Sequence, residues 1–251
     1  RDVLGSRGLG DVYKRQVLSV GITKSGRWFL TKAAPEQVEN GEWENHPSNC
    51  QAFLTPDRSI HGLFLPASGE TVRVDAVIPA LHGKNGEDGT VQGLLQLSGI
   101  PYVGCAALAS AVCMDKAVSH TLLSAAGIGQ AKYLWFYASD YAEQAAQVRE
   151  RIASELGGYP VFVKPANAGS SVGVSRVDRG DDLDAAVAKA AHEDWRVVIE
   201  ECITGREMGC GMLVAGGREY VFPITEIVSK KDFFDYEAKY TAGFSDEITP
   251  A

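Results

Sequence analysis

A lysine closing a short apolar run, with a loop of small residues after it, is where the residue types of this chain first suggest chemistry. Val161-Phe162-Val163 reads as a strand ended by Lys164-Pro165, and Val172 to Val177 reads as a second strand. Ala166 to Gly173 between them offers backbone N–H groups and the hydroxyls of Ser170 and Ser171, with no bulky side chain to keep a polyanion away. Lys164 brings a fixed positive charge to that loop, and Lys116 opens a predicted helix upstream. Two cations beside one Gly/Ser loop would neutralise phosphate charge. The plain alternative is a turn that binds nothing, flanked by two solvated lysines.

Three further groups carry residue types able to bind a nucleotide or a small substrate. Trp195 to Glu201 reads as a strand ending in the carboxylates Glu200 and Glu201, with Glu207 a little beyond. Carboxylates leaving a buried strand can accept from a ribose hydroxyl or an adenine amine, or can simply meet solvent. Lys231 to Tyr240 mixes aromatics and charges with no helical or strand period, as functional lids do and as exposed connections also do. His82 to Gly89 is a polar, glycine-punctuated loop after the apolar run Val74 to Leu81, where His82 could orient a small carboxylate, pair with Glu87, or be incidental.

The elements that must position these groups are legible in outline. Val17 to Thr23 and Arg27 to Thr31 read as strands around a Lys24-Ser25-Gly26 turn, and Ala33 to Pro56 as polar and irregular. Leu63 to Leu65 and Val72 to Val74 form a predicted hairpin, and Val74 to Leu81 a strand buried on both faces. A helix from Thr90 to Gly99 with Val91, Leu94, Leu95 and Leu97 as its apolar face, then a strand at Pro101 to Gly104, completes a parallel α/β unit. Helices over Ala106 to Cys113 and, capped by Asp115, over Asp115 to Ala126 follow, with a boundary near Met114. Ala131 to Tyr137 is a predicted strand. A helix capped at Ser139-Asp140 runs to about Leu156, and another spans Asp181 to Ala191. The central half therefore reads β, α, β, loop, β, α, β, an antiparallel α+β unit without a Gly-x-x-x-x-Gly-Lys-Ser/Thr loop. Glu207 to Ala215 and Arg218 to Ile227 alternate around Gly216-Gly217 as a hairpin. The expected division is a foreign or disordered leader over 1–16, an α/β domain over 17–114, a central lobe over 115–200 and the start of another over 201–251.

A length of 251 residues, 45% of them hydrophobic and 22% charged, is ordinary globular usage and is enough for two compact units. A net charge of −8 argues against a duplex nucleic acid partner, though a few local lysines still suffice for a nucleotide. Five cysteines with no Cys-x-x-Cys pair fit reduced thiols better than disulfides or a zinc site. No apolar run approaches the roughly 20 residues that span a bilayer, so the expectation is a cytoplasmic protein without a membrane partner.

Read together, the groups resemble one family. His82-Gly83-x-x-Gly86-Glu87-Asp88-Gly89-x-Val91-Gln92-Gly93 looks like a signature of the D-alanine–D-alanine ligases. Met114-Asp115-Lys116, the Lys164 to Gly173 loop, Gly205-Arg206-Glu207 and Phe233 to Tyr240 follow in that family's order and spacing. The resemblance covers roughly Val17 to Ala251 and is weakest before Val72. It implies an ATP-grasp enzyme of peptidoglycan synthesis, using ATP and magnesium to phosphorylate the carboxylate of one D-alanine. The amine of a second D-alanine then displaces the phosphate, and closure of the site keeps water from the acyl phosphate. By position, Lys116 and Lys164 resemble phosphate-binding lysines. Ser170 and Ser171 lie in the phosphate-covering loop, and Ser170 matches the serine that helps move the acceptor's proton. Glu200, with backbone groups of Glu201 and Ile203, matches adenine contacts, and Glu207 the ribose contact. Phe233 matches the aromatic beside adenine, Lys239 a lid lysine, and Tyr240 the lid tyrosine bonded to the serine. His82 and Glu87 resemble residues lining the first D-alanine site. The family usually dimerises, so a homodimer is implied.

The departures also shape expectation. The family's glycine-rich opening with its glutamate is replaced here by Arg1 to Gln16, and the arginine and the acidic set that holds magnesium lie beyond the lid in the family. No residue of this chain is assigned as a metal ligand. Tyr240 favours an amine acceptor over D-lactate, while a D-serine acceptor stays open, as do a noncatalytic nucleotide-binding module and a purely structural α/β domain. The isolated chain is expected to be an inactive fragment. A coupled phosphate-release assay with ATP and D-alanine should stay at background, and measurable turnover would overturn that expectation.

Overall fold

The computed structural model describes residues 16–229 and 245–250, and the chain divides between Met114 and Asp115 into two compact units. The first holds β1 (Ser19–Ile22), β2 (Trp28–Thr31), α1 (Pro35–Glu39), β3 (Cys50–Gln51), β4 (Phe53–Leu54), β5 (Gly62–Leu65), β6 (Glu70–Arg73), α2 (Thr90–Ser98) and α3 (Ala107–Met114). The second holds α4 (Lys116–Ala125), β7 (Tyr133–Tyr137), α5 (Tyr141–Glu155), β8 (Val161–Pro165), β9 (Ser175–Val177), α6 (Leu183–Glu193) and β10 (Arg196–Glu201). It continues through β11 (Glu207–Gly209), β12 (Met212–Ala215), β13 (Arg218–Val221), β14 (Thr225–Ser229) and β15 (Ser245–Ile248).

In the first unit β1-β2-β3 and β4-β5-β6 are antiparallel sheets whose core joins Ala52, Leu63 and Leu65 to Val20, Leu30 and Val72. The hairpin of β5 and β6 pairs Leu63 with Val72, as the alternation predicts. Three expectations are corrected here. The parallel pairing of Val74 to Leu81 is one bridge, Val77 with Tyr102, and Ile78 is 46% exposed, so the run is not a strand buried on both faces. Its apolar composition alone could not tell burial from a covered loop. Ala33 to Pro56 is not irregular, for it forms α1, a 3-10 turn at Glu42–Asn45 and two short strands, with Trp43 buried between polar neighbours. On α2 the buried residues are Val91, Gln92, Leu95 and Ser98, while Leu97 is exposed. Gln92 and Ser98 tolerate burial because their side chains donate to the carbonyls of Gly86 and Leu95, each at 2.8 Å.

The second unit is built on a four-stranded antiparallel sheet in the order β7-β10-β8-β9. Strict alternation gives the sheet two different faces. Leu134, Val163, Val197 and Ile199 point to one face, where Val148 and Ile152 of α5 and Leu183 and Val187 of α6 close the largest core. Tyr133, Lys164, Val198 and Glu200 alternate with them, and there Ala117 of α4 packs with Val198 and Tyr133. α5 starts at Tyr141 after a 3-10 turn, and Asp140 gives no side-chain cap, contrary to the expected Ser139-Asp140 cap, because Ser139 Oγ donates to the Asp140 carboxylate instead. α6 likewise begins two residues later than expected, after a 3-10 turn at Gly180–Asp182. β12 and β13 pair around Gly216-Gly217, whereas β11 pairs with β14 and β14 with β15.

Ile152 is fully buried in this core. Ile152→Ala should lower stability by about 2–5 kcal/mol, read as a shifted midpoint with an unchanged slope in urea unfolding.

Candidate functional site

Asp115, the one residue between α3 and α4, is in extended backbone and caps α4, its Oδ1 accepting from the Val118 N–H at 3.1 Å, while its Oδ2 takes the Arg196 guanidinium of β10. The Lys116 N–H donates to the Ala166 carbonyl at 2.9 Å. The start of α4 is thereby fastened to the first residues of the small-residue loop. Two residues further along that loop, the Ala168 carbonyl accepts from the Lys116 ammonium at 2.7 Å. Across the sheet Lys164 of β8 lies opposite Val198, two pairs along from Glu200, so the two ionised side chains meet on the face that carries α4. Their Nζ–Oε2 separation is 2.5 Å, with the lysine side chain 23% and the glutamate 12% exposed.

The sequence-derived site residues differ in placement. Lys116, Lys164 and Glu200 are brought together in the second unit. Ser170 and Ser171 lie in the adjoining loop, half-buried and both at positive φ, 52° and 59°. L-residues adopt that conformation only where the surroundings hold it, a strain common at ligand-binding loops. Gly173 in the same loop has φ 73°, and a Cβ there would lie 2.8 Å from the Glu193 side chain, so glycine is required. Glu201 turns back on the chain, its Oε1 accepting from the Lys132 N–H at 2.7 Å while its own N–H donates to the Lys132 carbonyl. Ile203 is 65% exposed and Glu207 is exposed at the start of β11. Phe233, Lys239 and Tyr240 lie outside the described residues.

His82 and Glu87 belong to the first unit, and both are exposed. The Glu87 carboxylate accepts from the Gly83 N–H at 2.5 Å, so it shapes its own loop. Asp88 does the same for Asn85 and Thr90, at 2.8 and 3.0 Å. Burial pushes the Asp88 carboxyl up, yet those donors prevail and hold it below its ordinary value. Gly89 starts α2 at φ 91°, and a Cβ would lie 2.6 Å from the Ala107 carbonyl oxygen.

The electrostatics of the lysine cluster favour an added anion. Burial lowers the Lys116 ammonium pKa, and the neighbouring Lys164 lowers it further, against the partial compensation of Glu200, Asp115 and Asp194. A phosphate between the two ammonium groups would offset that repulsion. Burial pushes the Glu200 carboxyl up, but Lys164 and then His120 prevail, so it sits below its ordinary value. The Asn167 side-chain oxygen in this loop is buried and makes no hydrogen bond, a further polar atom available to a ligand. These features fit a nucleotide's phosphates. Magnesium finds no such fit: among the described residues no group of three or more His, Cys, Asp or Glu is placed to hold a metal ion. The five cysteines are free thiols, and among the described residues no helix is long and apolar enough to cross a membrane.

Sequence reasoning missed His120 and Gln130. His120 stacks on Tyr133 at 4.1 Å between centroids and meets Glu200 at 3.0 Å. The signal was available, because His120 stands four residues after Lys116 and so shares its helix face. Arg196 was missed as well, since a strand arginine gives no sign of the helix cap it will meet.

An α4-flanked antiparallel lobe of this kind is of the ATP-grasp class. Residues 122–251 match the family description "D-ala D-ala ligase C-terminus", and residues 8–105 match "D-ala D-ala ligase N-terminus". The D-alanine--D-alanine ligase of Caldicellulosiruptor bescii is 43% identical over 245 residues, covering 96% of this chain and 65% of that protein. That of Geobacillus thermodenitrificans is 43% identical over 247 residues, covering 96% and 66%. Among solved structures, the VanG D-Ala:D-Ser ligase from Enterococcus faecalis is 40% identical, with a TM-score of 0.81 over 96% of this chain and 68% of that one. The chain belongs to the D-alanine–D-alanine ligase family, and it spans just under two thirds of the length of these two curated relatives.

Because Glu200 is more acidic folded than unfolded, its stabilising contribution is complete above its ordinary value of 4.5 and is lost as pH falls through the lower folded value. Chemical unfolding at a series of pH values should therefore show the wild type losing more stability than Glu200→Gln on acidification below 4.5. Parallel curves would contradict the assignment.

Proposed function

We propose that this chain carries the nucleotide site and first-substrate loop of an ATP-dependent ligase that joins D-alanine to a second D-alanine through an acyl phosphate. The observation that carries the reading is the closeness of two ammonium groups, Lys116 bonded to the small-residue loop at Ala168 and Lys164 bonded to Glu200 beside it. In this reading the two lysines hold the nucleotide's phosphates and withdraw charge from the γ-phosphoryl group as it passes to a D-alanine carboxylate oxygen. Ser170 and Ser171 cover the phosphates from the loop. Glu200, with backbone groups of Glu201 and Ile203, meets the adenine, and Glu207 the ribose. His82 and Glu87 line the first D-alanine site, while Phe233, Lys239 and Tyr240 supply the lid, Tyr240 acting with Ser170 on the acceptor's proton. The acceptor amine attacks the acyl carbon, phosphate leaves, and the amine proton passes to the site's base. Magnesium would offset phosphate charge, and no residue is assigned to hold it. We further propose a cytoplasmic protein that forms homodimers and engages neither nucleic acid nor membrane.

A second reading keeps the site and changes the acceptor to D-serine, favoured by the 40% identity to the D-Ala:D-Ser ligase. Competition between equal concentrations of D-alanine and D-serine separates the two. It is to be run with this chain fused to the part of the C. bescii relative outside the match. D-alanyl-D-alanine as main product supports the first reading and D-alanyl-D-serine the second, while nucleotide binding with neither product supports a noncatalytic module.

Nucleotide binding itself is tested by Lys164→Ala. Loss of one charged hydrogen bond to phosphate should weaken ATP binding roughly tenfold to a hundredfold in calorimetric titration. Unchanged affinity, or no thermal shift of the unmodified chain with ATP, would favour a purely structural domain.

A further inference from the structure

His120 lies outside every motif that marks this family resemblance, yet both of its ring nitrogens are engaged beside the lysine cluster. Its Nδ1 faces Gln130 Oε1 at 2.6 Å, and its Nε2 faces Glu200 Oε1 at 3.0 Å. The Gln130 amide is oriented by its own nitrogen, which donates to the His120 carbonyl at 2.8 Å and to Ser124 Oγ at 2.6 Å. A carbonyl oxygen can only accept, so Gln130 Oε1 is the atom left to face the ring, and Nδ1 must donate to it. Nε2 faces a carboxylate oxygen and donates too. An imidazole that donates from both nitrogens carries a positive charge, and the flat stack on Tyr133 at 13° holds its plane.

The consequence concerns Lys164. Glu200 is 12% exposed and shared between two donors, Lys164 on Oε2 and His120 on Oε1. A ligand phosphate that recruits the Lys164 ammonium takes one of those donors away. A carboxylate buried to this degree and left without a cation is strongly unfavourable. With His120 in place the carboxylate keeps a charged partner, and Lys164 is free to turn. Without it Glu200 depends on Lys164 alone and competes with the phosphate for it.

We propose that His120 is a positioning residue for the nucleotide site, holding the Glu200 carboxylate ionised and in place so that Lys164 can leave it for a ligand phosphate. The inference rests on the nucleotide reading given above and adds a residue and a charge exchange to it. Gln130 takes part through the ring, fixing which nitrogen meets Glu200.

The test is a titration of the whole chain with ADP alone, followed by calorimetry. His120→Ala should weaken ADP binding roughly tenfold or more, the loss expected for one hydrogen bond to a charged group. His120→Lys, which restores a cation within reach of Glu200, should recover most of the affinity. The decisive comparison is repeated in a Glu200→Gln background, where no carboxylate needs compensation and His120→Ala should cost little more. A role confined to packing on Tyr133 would give the same loss in both backgrounds and no recovery with lysine. Either of those results, or equal ADP affinity in the wild type and His120→Ala, overturns the inference. Should His120→Ala fail to fold, His120→Gln in the two backgrounds supplies the same comparison. Absence of ADP binding by the wild-type chain is a different failure, which removes the nucleotide reading and this inference with it.

Discussion

Glu200 leaves the central strand β10 as an ionised carboxylate with little access to water, and the surrounding site is arranged by what that requires. A charge so placed must be paired, and Lys164 and His120 pair it from two elements, β8 and α4. Each partner is held in turn. Lys164 sits on a strand whose alternate residues are locked in the core, and His120 on a helix tied to β10 through Asp115 and Arg196. An ion pair of this kind is poor evidence for stability but good evidence for a fixed arrangement, because removing one member leaves the other buried and uncompensated. The sheet supplies that arrangement at low conformational cost, since the apolar face that packs α5 and α6 also fixes which side chains emerge opposite.

The same asymmetry explains why the site points to phosphate rather than to an enclosed apolar ligand. Lys164 is close enough to Lys116 to disfavour the charge on Lys116, and the small-residue loop brings backbone and hydroxyls without bulk. Surfaces that hold like charges together at an energetic cost are those on which an anion gains most. Membership of the D-alanine–D-alanine ligase family gives this chemistry a context without supplying it, because the cation cluster stands on the geometry of the second unit alone.

Much of this arrangement was legible in the sequence. The short β-branched runs around Lys164 and Glu200 announced strands, Asp115 announced a cap that is formed, and the β, α, β, loop, β, α, β order announced the antiparallel lobe. Periodicity reports burial only when apolar content decides it. It therefore misread Val74 to Leu81, whose apolar side chains are partly exposed, and α2, where Gln92 and Ser98 are buried by hydrogen bonding and Leu97 is not. Trp43 was lost among polar neighbours for a related reason, one large side chain giving no period. Contacts between residues far apart in the chain were least accessible. His120 meets Glu200 across eighty positions, and nothing local marks either as the other's partner.

Amide hydrogen exchange of the chain with and without ADP maps where a nucleotide is held without disturbing any side chain. A nucleotide held at the lysine cluster should slow exchange over the segment from Lys164 to Val174 and around Glu200 to Ile203, with the β5–β6 hairpin of the first unit unchanged. Unaltered exchange in both of those segments at saturating ADP, or protection confined to the first unit, would contradict that placement.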